Sequence, residues 1–283
     1  MKVGEFFIFQ EVMETRNVSR VFRFLPYEVS CQPKLDGIRL QIHKQDDKIN
    51  IFSKKGIDVT HRFVEIANAA RIMPQNNFIL DGEGVCFYNE RINFNKVLSK
   101  LRSGIGDCVF FGFDAIMVDN SDMTEEAYHT RREELAKMLM SHNMRIAPQF
   151  ITSEPAALKA YYIESLKRGF EGIVYRDIYS LYKSGLTPEI RKLKPLRTLD
   201  VEVVLGHEKK DGYFSYDVKV KEGLMGKVPS KEILKPGQII EVRYDGLIDS
   251  DTEAGKTFRF PSLFRIRHDL KIPNSVGDKI ETK

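Results

Sequence analysis

The sequence predicts an α+β first domain, built of antiparallel sheets with flanking helices, followed by a small β-barrel. Up to Pro195, strand patterns alternate with helical patterns. Beyond it, short strands are separated by glycine turns and no long helix is evident. Hydrophobic residues make up 42% of the chain and charged residues 30%, as in ordinary globular proteins. We expect one domain over residues 1–196 and another over residues 197–283.

The first domain should begin with two strands and a helix. Residues 1–28 mix apolar and basic positions, including Arg16, Arg20 and Arg23, and we expect this segment to pack on the first sheet. Apolar and polar side chains alternate over 38–43, which is typical of a half-buried strand, and a second strand is predicted over 48–53. A helix over about 61–72 has its apolar residues on one face.

Two longer apolar strands follow, at about 78–85 and 108–118. Helices are predicted over 94–103 and 124–142. A further helix should start at Ser153-Glu154-Pro155, with serine as the N-cap and proline in the first turn.

The second domain reads as short strands joined by turns. Asp-Gly and Pro-Gly pairs interrupt the apolar runs, and this spacing is typical of a small β-barrel. The predicted strands cover about 200–207, 213–220, 238–244 and 258–267.

The stretch from Gln32 to Arg39 holds the strongest candidate for chemistry. It places Lys34, Asp36, Gly37 and Arg39 at the entrance of a strand, which fixes their spacing. The plainest interpretation is a solvated hairpin, with Asp-Gly as an ordinary turn signal. A short motif remains a hypothesis until other residues support it.

This stretch resembles the nucleotidyl-accepting motif of the covalent nucleotidyltransferases, which comprise DNA ligases, RNA ligases and mRNA capping enzymes. Further strings resemble the other motifs of that family in the same order, from about residue 29 to residue 271. They are Ser53-Lys54-Lys55 with Thr60 and Phe63 (motif Ia), Asp81-Gly82-Glu83, Phe113-Asp114 (motif III), Glu171-Gly172-Ile173-Val174-Tyr175-Arg176 (motif IV), Lys192-Leu193-Lys194-Pro195 (motif V), and Arg259-Phe260-Pro261 with Arg265, Arg267, Asp269 and Lys271 (motif VI). Two departures stand out: motif Ia usually has an arginine where Lys54 lies, and motif VI often ends in Asp-Lys.

The resemblance implies a role for each of these residues. Lys34 would attack the α-phosphate of a nucleotide, and Glu83 and Glu171 would hold Mg²⁺ or Mn²⁺. A lysine must lose its proton to act as a nucleophile, and we expect Lys192, Lys194 and the cation to lower the pKa of Lys34. The expected nucleotide-binding residues are Gln32, Arg39, Lys54, Glu83, Phe113, Glu171, Lys192 and Lys194, with Arg39 placed to grip a phosphate.

Each of these assignments has a simpler alternative. Phe113 could be a core aromatic residue rather than a platform for the base. Glu83 could be an isolated acid, although an unpaired charge in a buried strand is costly. Lys192 and Lys194 could form a solvated charge run. Lys54 is a weaker candidate because lysine lacks the bidentate fork of arginine.

Among the family members, the motifs most resemble those of compact ATP-dependent DNA ligases of the viral, phage or bacterial accessory kind. The resemblance implies an ATP-grasp-like adenylation domain, an OB-fold domain, ATP as cofactor and nicked duplex DNA as partner. An RNA-specific ligase, a capping guanylyltransferase and a catalytically dead OB-type scaffold remain as alternatives.

Composition gives the remaining expectations. The net charge of +4 permits nucleic-acid binding without requiring it. No signal peptide or membrane-spanning run is evident, so we expect the protein in the cytoplasm, or in the host cytoplasm if the source is viral. We also expect it to be a monomer. The three cysteines are odd in number and contain no C-x-x-C pair, so neither a disulfide framework nor a zinc ribbon is expected.

Overall fold

The structure is a computed structural model that describes residues 2–15, 28–138 and 141–278 of the 283-residue chain. Its internal contacts divide the chain into two units, Met1–Lys194 and Pro195–Lys283, a division that lies beside the boundary expected at 196. Arg16, Arg20 and Arg23 lie outside the described residues.

One sheet of the first unit has five strands in the order β1-β12-β11-β2-β10. Strand β1 runs parallel to β12, and the other pairs are antiparallel. The described part of the N-terminal segment therefore joins this sheet as strand β1, whereas we expected the segment to pack on the first sheet. The strands are β1 (Gln10–Thr15), β2 (Val29–Pro33), β10 (Phe150–Thr152), β11 (Ile173–Asp177) and β12 (Gly185–Leu193).

The other sheet of this unit has seven strands, with β4-β3-β5-β7-β8 in a row, β6 paired to β5 and β9 to β7. The predicted strands at 38–43, 48–53, 78–85 and 108–118 all lie in it. The strands are β3 (Ile38–Gln45), β4 (Lys48–Ser53), β5 (Asn77–Tyr88), β6 (Arg91–Ile92), β7 (Cys108–Val118), β8 (Ser121–Asp122) and β9 (Met144–Ile146).

Among the described residues, four α-helices flank the sheets: α1 (Val64–Arg71), α2 (Phe94–Ser103), α3 (Tyr128–Met138) and α4 (Pro155–Lys167). The helix expected over 94–103 is confirmed at both ends; the side chain of Asn93 caps it by accepting a hydrogen bond from the backbone N–H of Lys96. Helix α3 is shorter than the expected 124–142. Helix α4 has Glu154, not Ser153, as its N-cap.

The cysteines form one disulfide, which the sequence analysis did not predict. Cys86 on β5 and Cys108 on β7 lie directly opposite each other in the register and form it, whereas Cys31 is free and buried. Alternation along single strands does not reveal which residues face each other across a sheet, so this pair has no local signal in the sequence. Across the described residues, no helix is both long and apolar enough to cross a membrane.

The second unit contains a five-stranded antiparallel sheet in the order β15-β14-β13-β16-β19, together with the hairpin β17-β18. Its core includes Leu199, Val201, Val218, Val228 and Val242. The sequence predicted four strands here and missed β15 and the hairpin. The strands are β13 (Arg197–Glu208), β14 (Phe214–Val220), β15 (Gly223–Ser230), β16 (Ile239–Tyr244), β17 (Gly246–Asp249), β18 (Lys256–Arg259) and β19 (Ser262–Ile266).

Candidate active site

One wall of the candidate site is a row of residues that crosses four strands of the five-stranded sheet. Gln32, Val174, Lys192 and Glu14 are consecutive cross-strand partners, so their side chains share one face. Lys34 follows β2 directly after this row. The row thus brings Gln32 of the first motif beside residues of motifs IV and V, which lie more than a hundred positions later in the sequence.

A glycine of motif IV makes the approach of these strands possible. The backbone N–H of Lys34 donates to the carbonyl of Gly172 at 2.9 Å. Gly172 has φ of +146°, and a Cβ added there would lie 2.1 Å from the carbonyl oxygen of Leu193. Only glycine fits in this position, because both its conformation and the available space exclude a side chain.

The opposite wall comes from the seven-stranded sheet. Arg39 on β3 and Glu83 on β5 are cross-strand partners, and Lys54 follows β4. Gly112 pairs with Gly82 and Asp114 with Asp81, so Phe113 is the extra residue of a β-bulge, a feature that can re-aim a side chain.

These walls enclose a cavity of about 300 Å³ within the first unit. It is of the size that small-molecule sites usually have. The predicted site residues that line the cavity are Gln32, Lys34, Arg39, Lys54, Glu83, Phe113 and Lys192.

The candidate nucleophile is held by an ion pair. Lys34 Nζ lies 2.5 Å from Glu171 Oε2, and Lys194 Nζ lies 3.8 Å from the same oxygen. Burial lowers the pKa of Lys34, but the charges of Glu171, Glu83 and Asp36 outweigh it, so that the pKa is raised. The expectation of a lowered pKa left out these acids; because it also included a divalent cation, it stays a prediction for the site with a cation bound.

Glu83 is a desolvated acid. Burial raises its pKa to about 7, although the nearby charges of Lys34 and Arg39 oppose this. Among the described residues, no hydrogen bond to its carboxylate is found, so the carboxylate can still accept a cation.

Glu83 and Glu171 would supply part of the coordination that a divalent metal ion needs. Glu83 and Glu171 both lie close enough to Lys34 to influence its charge. Within the described ranges, no group of three or more His, Cys, Asp or Glu side chains could hold a metal ion. Two carboxylates completed by water and phosphate oxygens suit Mg²⁺, which seldom uses a cage made only of protein atoms.

Arg39 makes more contacts within the protein than the sequence analysis predicted. Its guanidinium donates to both carboxylate oxygens of Asp81, at 3.0 and 2.6 Å, and to the carbonyl of Gln10 at 2.7 Å. It also lies 4.8 Å from the ring centre of Phe9 and 5.2 Å from that of Phe113. Arg39 therefore ties the N-terminal segment to the site.

Two acids of β1 were missed by the sequence analysis. Glu11 lies 3.3 Å from Lys54, and Glu14 lies 3.4 Å from Lys192, so two of the predicted nucleotide-binding lysines each face an acid. Nothing in the sequence signalled these pairs, because the contact of Glu14 depends on the parallel register of β1 with β12 and that of Glu11 on the approach of β1 to Lys54.

A buried cluster of charged and polar side chains lies next to the site. Asp114, fully buried, binds Arg131 through both carboxylate oxygens at 2.7 and 3.0 Å and Arg176 at 2.7 Å. The amide of Gln32 donates to the hydroxyl of Tyr128 at 2.9 Å. Buried ion pairs of this kind hold side chains in place, and losing one partner leaves an uncompensated charge.

The predicted motif VI residues lie in the second unit. Arg265 donates to Glu241 at 2.5 Å, and Arg267 binds Asp200 and Asp269. Arg259 lies over the ring of Phe260, and Lys271 is exposed.

Comparison with known proteins identifies the family. Residues 12–194 match the model of the ATP-dependent DNA ligase domain. The chain belongs to this family. The match covers every motif predicted before Pro195, including Lys34, Glu83, Glu171 and both lysines of motif V.

Curated relatives carry ligase names. A probable DNA ligase of Streptomyces griseus is 26% identical over 305 residues, covering 89% of this chain and 59% of the relative. A DNA ligase of Methanoculleus marisnigri is 29% identical over 289 residues, covering 87% and 52%. The chain thus spans little more than half the length of these relatives.

Solved structures show the same fold. The ligase domain of LigD from M. tuberculosis has a TM-score of 0.58 at 19% identity, and the match covers 93% of this chain and 96% of that one. A structure of Lig E DNA ligases has a TM-score of 0.67 at 18% identity, covering 93% and 100%. A Chlorella virus DNA ligase-adenylate has a TM-score of 0.52 at 17% identity, covering 93% and 99%.

Proposed function

We propose that this protein is an ATP-dependent DNA ligase that seals nicks carrying a 5′-phosphate and a 3′-hydroxyl in duplex DNA. The observation that carries the proposal is the position of Lys34 in a cavity between two sheets, beside Glu171 and Lys194 and facing Glu83. The family match over 12–194 supports it.

The first step is transfer of AMP to Lys34. The amine forms a bond to the α-phosphorus of ATP, the bond from that phosphorus to the bridging oxygen breaks, and pyrophosphate leaves. Glu171, 2.5 Å from Nζ, is placed to accept the proton that the amine must lose. Lys192 and Lys194 would stabilise the negative charge that develops on the phosphate. Phe113 would stack on the base, and Gln32 lines the same cavity.

In the next two steps, AMP moves from Lys34 to the 5′-phosphate of the nick, and the 3′-hydroxyl then displaces it as the phosphodiester forms. Glu83 and Glu171 are the residues that would hold Mg²⁺ or Mn²⁺. The cation would neutralise charge on the phosphate oxygens.

The second unit would act as an OB-fold domain and complete the enzyme. We propose that it brings motif VI to the pyrophosphate of ATP in the first step and contacts DNA afterwards. Its partner would be nicked duplex DNA, with the protein acting as a monomer in the cytoplasm.

The test is formation of a covalent adduct. Wild-type protein incubated with α-labelled ATP and Mg²⁺ should retain label through denaturing electrophoresis, whereas α-labelled GTP should give none. Lys34→Ala should abolish labelling, and Lys159→Ala, which changes an exposed lysine of helix α4 outside the cavity, should not. Label from GTP instead would indicate a capping guanylyltransferase, and no label from either would refute a nucleotidyltransferase.

Sealing assays define the substrate. Wild-type protein should join a nick in duplex DNA, and a matched nick in duplex RNA should be joined more slowly. Joining of RNA alone would refute the assignment as a DNA ligase while leaving the adenylyl transfer intact.

A further inference from the structure

The outer face of the second unit carries a row of charged residues across three neighbouring strands. Asp200 on β13 is directly opposite Glu241 on β16, and Glu241 is directly opposite Arg265 on β19. Their sequence neighbours Val201, Ile240 and Val242 are fully buried in the core, so the charged row points away from it.

Two carboxylates at directly opposed positions repel each other. Here two arginines compensate for them. Arg267 Nη1 lies 2.9 Å from both oxygens of Asp200 and 3.8 Å from Glu241, and Arg265 Nε lies 2.5 Å from Glu241. The acids and the arginines therefore form one network.

The two arginines are held differently. Arg267 also binds Asp269 through Nε and Nη2, at 2.8 and 2.7 Å, so most of its N–H groups are used, and its side chain is 17% exposed. Arg265 is bound to Glu241 through Nε, and its side chain is 53% exposed. A guanidinium fixed at Nε presents its two terminal amino groups in a defined direction, which suits binding of a phosphate.

We propose that Asp200 and Glu241 are positioning residues for the two arginines of motif VI, so that Arg265 is presented to the pyrophosphate part of ATP. This inference rests on the proposed function. Asp200 and Asp269 hold Arg267 against the sheet, and Arg267 in turn shields the two acids from each other. Glu241, 8% exposed, then fixes the guanidinium of Arg265 from the side opposite to solvent.

The alternative is that the network only stabilises the sheet. The two possibilities differ in the step that they affect. Pyrophosphate is present only while Lys34 receives AMP, so a positioning role slows that step alone. A role in folding lowers the thermal stability and slows every step together.

The test uses Asp200→Asn and Glu241→Gln in the full chain, with single-turnover measurement of two reactions. We expect formation of the Lys34–AMP adduct to slow about tenfold, which corresponds to the loss of one hydrogen bond to a charged group. Sealing of a nick that already carries AMP on its 5′-phosphate should change by less than about twofold, because such a loss falls only on the pyrophosphate step.

A matched control and a double mutant make the test specific. Glu202 lies on the same strand as Asp200, but it pairs with Lys219 at 3.0 Å and not with motif VI. Both reactions should therefore stay at the wild-type rate in Glu202→Gln. Asp200→Asn should add little to the effect of Arg267→Ala, because both remove the same interaction. Asp200→Glu, which keeps the charge, should recover part of the lost rate.

Several outcomes would overturn the inference. Adduct formation at the wild-type rate in both variants would refute it, as would equal slowing of both reactions with a fall in melting temperature. If the wild-type protein itself formed no adduct with ATP, the proposed function would fail. The two failures are therefore distinguishable.

Discussion

The ion pair between Lys34 and Glu171 leads to a prediction that does not depend on turnover. Replacing Glu171 with glutamine removes a negative charge 2.5 Å from the amine and keeps the size of the side chain. The carboxylate of Glu171 is the largest of the influences that raise the pKa of Lys34. We therefore expect the pKa of Lys34 to fall in the Glu171→Gln variant.

The size of the fall follows from the neighbours that remain. An opposite charge within about 4–6 Å shifts a pKa by roughly 1–3 units. Glu83 and Asp36 still favour the charged amine in the variant, which limits the fall. Lys194, 3.8 Å from Glu171 in the wild type, would lose its own compensating charge and repel Lys34. Together these effects predict that the pKa of Lys34 is lower in the variant than in the wild type.

The assay is competitive acetylation of the free protein at a series of pH values, without nucleotide and with a chelator. Mass spectrometry of the peptide that contains Lys34 gives the fraction modified, and its midpoint gives the pKa. Glu14→Gln is the control, because it removes the acid beside Lys192 and should leave the midpoint of Lys34 unchanged. A midpoint for Glu171→Gln equal to or above that of the wild type would refute the reasoning.

Three further predictions concern other parts of the site. The pKa of Glu83 is raised from 4.5 to about 7, so the folded protein holds a proton that the unfolded chain loses, and its stability falls as the pH rises from about 4.5 to 7. The free energy of unfolding of Glu83→Gln, measured in urea, should therefore increase relative to that of wild type by about 1–3 kcal/mol between pH 5 and pH 8. A difference between the two proteins that does not change with pH would contradict this. Asp114→Asn should lower the free energy of unfolding by about 3–5 kcal/mol, because Arg131 and Arg176 would lose a buried partner. A decrease below about 1 kcal/mol would show that the two arginines bind another partner in the variant. Phe113→Ala should raise the ATP concentration for half-maximal labelling by about tenfold, as expected for loss of one stacking partner, with Phe113→Tyr near wild type; equal values for all three would exclude stacking.

The sequence could predict the main strands and several residues that line one cavity, because both leave local signals. Alternating apolar residues marked β3, and the apolar run from Cys108 to Val118 marked β7 to the residue. The ordered motifs named seven residues that the fold brings to one cavity, although Gln32 and Lys192 are 160 positions apart. Neither prediction required knowledge of how the strands pair.

What the sequence could not predict depends on register. The bulge at Phe113, the pairing of Cys86 with Cys108, and the contacts of Glu11 and Glu14 with lysines all follow from which residues face each other across strands. No local pattern encodes that choice, because a shift of one residue moves every side chain to the other face of the sheet. For the same reason, the sequence identified the lysines of the site and missed the acids beside them.

Those acids change how the site should respond to its substrate. In the free protein, Lys34 lies against Glu171, Lys192 against Glu14, Lys54 against Glu11, and Arg39 against Asp81. A triphosphate must replace these contacts, so the cost of separating the existing ion pairs offsets part of its favourable electrostatic energy of binding. A small anion that meets one cation at a time gains little from such a site. An anion that spans the cavity and meets several cations at once gains from all of them, and the same acids that weaken binding in general therefore favour a nucleotide triphosphate over free phosphate.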